Sequence, residues 1–176
     1  MPVRLILMRH AKSAWPEGVA DFDRPLALRG QEAAPLMGRW LAKQGMTPDQ
    51  VLVSAARRTR ETWALAGAFF PGLAHEATPA IYGASAGDLL DVVHDAEPLA
   101  RTLMLVGHNP GMQELGYALA NPATSETEPL RRLSQKYPTA GLAILEQEGG
   151  WRDIAPGTMR LSTFITPRVL GGVDED

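Results

Sequence analysis

Three short apolar runs in this chain each end in side chains able to handle an anion. Leu5 to Met8 runs into Arg9-His10, Val51 to Val53 into Ser54-Ala55-Ala56-Arg57-Arg58, and Thr102 to Val106 into Gly107-His108-Asn109-Pro110-Gly111. A histidine beside arginines suits a nucleophile facing a phosphoryl group. Guanidinium forks pair with phosphate oxygens, and a positive surround stabilises the charge spread over them during transfer. Taken singly, each segment is an ordinary solvated turn. They become a site only if the fold brings the three ends together.

The elements around them predict such convergence. Val3 to Met8, Val51 to Ser54 and Thr102 to Val106 have the length and apolar content of buried strands. Between them, Leu28 to Gln44 repeats apolar residues at helical spacing and stops at Gly45, a left-handed cap. A second helix is expected from about Arg58 to Phe70, ended by Pro71-Gly72. A third follows Ser85 and Asp88, which have capping-box spacing, and a fourth spans Met112 to Leu119. Ala140 to Glu146 and Trp151 to Ile154 are expected to form a hairpin, with a last strand over Leu161 to Thr166. This alternation predicts an α/β fold, a three-layer α/β/α sandwich whose mostly parallel sheet carries an antiparallel addition. Parallel neighbours present their carboxyl ends on one edge, where ligands bind in open α/β sheets.

Composition narrows the functions. The 176 residues suit a single domain over 1–170, with 171–176 expected to fray. No apolar run approaches the ~20 residues of a membrane helix, and Arg4 comes too early for a secretory apolar region, so a cytoplasmic location is expected. The absence of cysteine removes thiolate chemistry and disulfides, and a net charge of −3 argues against nucleic-acid binding. Four scattered histidines lack any His-x-x-x-His pair, so no metal is expected and no cofactor is implied.

Leu7-Met8-Arg9-His10-Ala11-Lys12, Arg24-Pro25-Leu26 with Leu28-Arg29-Gly30, Val53-Ser54 with Arg58 and Thr62, and Gly107-His108-Asn109-Pro110 together resemble the histidine phosphatase (phosphoglycerate mutase-like) superfamily. The short chain is most similar to its SixA-type phosphohistidine phosphatase branch. The resemblance runs from Val3 to about Pro167, with Ala11 where the family usually has glycine. It implies that His10 is the nucleophile and forms a phosphohistidine enzyme, with Arg9, Arg58 and His108 around the phosphate. Arg57 competes with Arg58 for that place, and the spacing from Ser54 and Thr62 favours Arg58. Many phosphoester-cleaving members carry a carboxylate general acid after the second helix, whereas Ala80 to Ser85 has none here. An imidazole leaving group needs less protonation than an alkoxide, which favours phosphohistidine in a protein over a small-molecule phosphomonoester. A non-catalytic phosphate-binding or phosphoprotein-binding module is the third alternative.

Lys12 and Ser13, directly after His10, are further candidates to touch the phosphate or a protein substrate. Asn109 would orient His108 or close its turn. His75 and His94 are expected to be solvated, Trp40 and Trp63 to pack, and nothing in the spacing of Thr139 ties it to the pocket. Oligomeric state is not written in these patterns.

Overall fold

The computed structural model describes residues 1–176. Six strands form one sheet: β1 (Pro2–Arg9), β2 (Gln50–Ser54), β3 (Glu76–Thr78), β4 (Thr102–Gly107), β5 (Leu142–Glu148) and β6 (Arg160–Ile165). Their order is β3-β2-β4-β1-β5-β6, parallel from β3 through β1 and antiparallel at β5 and β6. Helices α1 (Leu28–Lys43), α2 (Arg57–Ala66), α3 (Ala86–His94), α4 (Gly111–Leu119) and α5 (Thr127–Gln135) cover the two faces.

The pleat of β1 explains the layers. Successive strand side chains point to opposite faces. Ile6 and Met8 join a core with Met37 and Leu41 of α1 and Trp63 of α2, whereas Leu5 and Leu7 join one with Leu89 of α3, Leu115 of α4 and Leu133 of α5. β1 is therefore buried on both faces, as a central parallel strand requires. The three-layer α/β/α arrangement and its antiparallel addition agree with the sequence.

Several local signals are realised. Gly45 takes φ +70° after α1, and Ser85 and Asp88 exchange both capping-box hydrogen bonds at 3.1 Å. Gly30 and Gly38 let α1 lie close: a Cβ on Gly30 would stand 2.1 Å from the Lys12 carbonyl oxygen, and one on Gly38 2.2 Å from that of Ala66.

Other expectations need correction. Trp151 to Ile154 is not a strand. Trp151–Asp153 is a 3-10 turn whose indole donates to the Ala100 carbonyl at 2.8 Å, so tertiary burial of Trp151 overrides its β preference. The antiparallel partner of β5 is β6 instead. The segment 171–176, expected to fray, is laid down by its acidic side chains: Asp174 accepts from the Thr166 hydroxyl and the Arg168 amide, each at 2.9 Å. The second helix stops at Ala66 and continues as a 3-10 turn over Gly67–Phe69, short of the expected Phe70.

Candidate active site

The strand ends meet because β4 lies between β1 and β2. Arg9 pairs in register with Gly107, and Val53 with Val106. His10 and His108 thus leave adjacent parallel strands at the same level, with ring centroids 5.3 Å apart. The backbone of His10 is fixed on both sides: its amide donates to the Gly107 carbonyl at 2.9 Å, and its carbonyl accepts the Ala140 amide at 3.0 Å. Ala140 pays for that hold with φ +62°, a region costly for a residue with a Cβ.

His10 is 8% exposed, and its Nδ1 stands 2.7 Å from the Ala11 carbonyl oxygen. A carbonyl only accepts, so Nδ1 carries the proton and Nε2 keeps its lone pair. The Ala11 amide in turn donates to the Thr62 hydroxyl at 2.9 Å, and that hydroxyl donates to the Arg58 carbonyl at 2.7 Å. Through Thr62, α2 fixes the peptide that orients the nucleophilic imidazole. Burial, reinforced by the positive charge of His108, Arg58 and Arg9, pushes the His10 imidazole down to about 3, against the opposing pull of the Ala11 bond. It is neutral at pH 7.

Arg9, His10, Lys12, Ser13, Arg58, His108 and Asn109, all singled out by sequence, line one pocket together with Trp15, Arg24 and Asp176. Arg58 faces it and Arg57 does not. The Arg57 side chain is half-exposed and pairs with Glu61 at 3.1 Å, one helical turn on. Arg9 donates through Nη1 to the Tyr137 carbonyl at 2.8 Å, and Arg58 donates through Nη1 to the Asp21 carbonyl at 2.7 Å. His108 Nε2 and the Ser54 hydroxyl share a hydrogen bond of 2.7 Å. Burial first, then Arg58 and Arg9, bring the His108 imidazole down to about 4.

Three buried nitrogens in this cluster, Arg9 Nε, Arg58 Nε and His108 Nδ1, find no partner in the protein. Buried donors left unpaired are costly. An anion with several acceptor oxygens suits such a set.

The remaining candidates divide. Ser13 accepts from Arg24 Nη2 at 2.5 Å, and Lys12 reaches across to the Asp176 carbonyl at 2.9 Å. Asn109 closes its turn: Oδ1 accepts the Gln113 amide at 3.2 Å and Nδ2 donates to the Tyr137 carbonyl at 3.2 Å. Thr139 does not line this pocket; its hydroxyl donates to the Glu175 carbonyl. His94, expected to be solvated, is half-buried and bonds the Ile154 carbonyl at 2.7 Å. Trp63 is buried as expected, and Trp40 is half-buried.

Sequence reasoning missed Asp21 and Tyr82. Asp21, in a 3-10 turn over Asp21–Asp23, holds Arg58 Nη2 at 3.2 Å and Arg24 Nη1 at 3.0 Å, and accepts the Tyr82 hydroxyl at 2.6 Å. The Tyr82 hydroxyl, followed by Arg24 and Arg58, holds the Asp21 carboxyl down at about 2, although its modest burial acts the other way. The Arg24 guanidinium stacks 3.3 Å from the Trp15 ring centroid. The Arg24-Pro25-Leu26 run hinted that this loop enters the site.

A sheet of this order, with two imidazoles and buried arginines at its carboxyl edge, matches a known family. The chain belongs to the histidine phosphatase superfamily, the model of its branch 1 matching residues 5–103. Its place is in the SixA-type branch. A candidate phosphohistidine phosphatase SixA from Nakamurella multipartita superposes with a TM-score of 0.84 at 29% identity, over 95% of this chain and 97% of that one. One from Agrobacterium tumefaciens gives 0.77 at 32% identity, over 95% and 99%. An uncharacterized protein of Mycobacterium tuberculosis is 40% identical over 161 residues, covering 92% of this chain and 100% of its own length. The family and these neighbours support a phosphatase.

Proposed function

We propose that the protein is a metal-independent phosphatase in which His10 takes the phosphoryl group from a phosphorylated histidine of a protein. The observation that carries this reading is the His10 imidazole itself. It is buried and neutral, with Nδ1 committed to the Ala11 carbonyl and Nε2 free among Arg9, Arg58 and His108.

His10 Nε2 attacks phosphorus, and the bond from phosphorus to the substrate's imidazole nitrogen breaks with its electron pair leaving on that nitrogen, the substrate ring carrying a proton on its other nitrogen so that it departs as neutral imidazole. Arg9 and Arg58 balance the charge on the equatorial oxygens. With the Ser54 hydroxyl donating to Nε2, His108 carries its proton on the unpaired Nδ1 and offers it as a further donor. Water then attacks phospho-His10, the phosphorus–Nε2 bond breaks, and inorganic phosphate leaves with the proton lost by water.

The leaving group distinguishes phosphohistidine from an alkyl phosphate. A general acid works best with a pKa near the working pH. Asp21, the carboxylate that the fold brings beside Arg58, sits at about 2, and the phenol of Tyr82 bonded to it is pushed up. Neither is poised to protonate an alkoxide near neutrality. An imidazole that carries its own proton on the far ring nitrogen departs neutral without an enzyme acid, which favours phosphohistidine over the small-molecule phosphomonoester alternative.

A side-by-side assay of a phosphohistidine protein, a sugar phosphate and an aryl phosphate, all in EDTA, tests this. The phosphohistidine protein should have the highest kcat/KM, with activity unaffected by the chelator. A preference for the sugar phosphate would replace the substrate assignment, phosphate binding without turnover would favour a binding module, and rescue by added metal would overturn the metal-free scheme.

A further inference from the structure

One acidic segment of the chain reaches the phosphate pocket at its last residue, Asp176. Asp176 lines the pocket with Arg9 and His10, its carbonyl takes the Lys12 ammonium at 2.9 Å, and its carboxylate pairs with Lys136 at 3.0 Å. Lys136 first, with Arg9 and Lys12 contributing, holds the Asp176 carboxyl below the usual carboxylate range. Just before it, the Glu175 carbonyl accepts the Thr139 amide at 2.8 Å and the Thr139 hydroxyl at 3.2 Å, and its side chain pairs with Arg29. Asp174 is tied to Thr166 and Arg168. Gly171, at φ +89°, turns the chain into this path.

The elements that receive the segment come from far apart: Lys12 follows β1, Arg29 opens α1, and Lys136 and Thr139 follow α5. They form a basic shelf beside the nucleophile. It offers ammonium and guanidinium groups to carboxylates and a backbone N–H to a peptide carbonyl. Such groups recognise an extended acidic peptide.

We infer that this shelf is an acidic-peptide site filled by the chain's own Asp174–Asp176, which competes with phosphate for the pocket. The inference rests on the proposed phosphate pocket but not on the identity of the substrate. A docked segment reduces the apparent affinity for phosphate by the fraction of molecules in which it has lifted away.

Calorimetric titration with inorganic phosphate tests this, comparing the full chain, a chain ending at Val173, and the variant Asp174→Asn/Glu175→Gln/Asp176→Asn. A control variant, Asp95→Asn/Glu97→Gln/Glu148→Gln, removes the same charge elsewhere. Both tail variants should bind phosphate about tenfold more tightly than the full chain if the segment is docked nine-tenths of the time, and the control should not. In the full chain, saturating phosphate should also speed hydrogen exchange of the Thr139 amide. Unchanged or weaker phosphate binding in both tail variants, tightening equalled by the control, or an unaltered Thr139 amide would overturn the inference. Absence of turnover in the full chain, with phosphate still bound, would count against the proposed activity alone and leave this comparison readable.

Discussion

Asp21 holds Arg58 by two different handles: its carbonyl takes Nη1 at 2.7 Å and its carboxylate takes Nη2 at 3.2 Å. Arg58 Nε remains buried and unpaired beside the pocket. Asp21 is a positioning residue, since its carboxylate is spent on Arg58, Arg24 and Tyr82.

Asp21→Asn keeps the carbonyl handle and weakens the other. A loss of about tenfold in kcat/KM, or ~1.4 kcal/mol of transition-state stabilisation, is expected, with a smaller effect on melting temperature. The pH profile of kcat should keep its shape, because a carboxyl already ionised above about 2 is no general acid. Loss of one limb of that profile in the variant would show that Asp21 moves a proton.

Thr62 is fully buried and relays α2 to the nucleophile by accepting from Ala11 and donating to Arg58. Thr62→Val keeps the shape and strands the buried Ala11 amide, so a destabilisation of about 1–3 kcal/mol is expected in urea unfolding. Activity should fall as well, because the Ala11 peptide that holds His10 Nδ1 is loosened. Unchanged stability would mean that the Ala11 amide finds another acceptor.

The depressed imidazoles make stability depend on pH. His10 sits at about 3 and His108 at about 4 when folded, against 6.5 for an ordinary histidine. Between those values the unfolded chain binds more protons than the folded one, so their contribution is fully present above about 6.5 and is lost as pH falls toward 4 and 3. His10→Asn should flatten the rise of unfolding free energy between pH 4 and 6 by up to ~1.4 kcal/mol per pH unit, the effect of one proton. Parallel wild-type and variant curves would contradict a buried neutral His10.

Much of this site was legible in the sequence because parallel strands bring their carboxyl ends to one edge. Arg9, His10, Arg58 and His108 follow directly from that rule, while Arg57 stayed a rival to Arg58, disfavoured only by the spacing of Arg58 from Ser54 and Thr62. Asp21 was not legible. It meets Arg58 across 37 residues of sequence from a three-residue turn that has no periodicity. Helix α5 and strand β3 were missed for related reasons: α5 buries little more than Leu133, and β3 is three residues on the sheet edge. Trp151 read as strand by type but was claimed by the core. The acidic segment read as a fraying end because the partners that tie it down lie elsewhere in the chain.

The central claim is that phosphate passes through His10. Rapid quenching of the enzyme with a phosphorus-labelled phosphohistidine protein, followed by peptide mapping under alkaline conditions, tests it most directly. Label should appear on the peptide holding His10, be released by mild acid, and be absent from His10→Ala, which should keep its fold and lose turnover. Turnover retained by His10→Ala, or label found on His108 instead, would contradict the account.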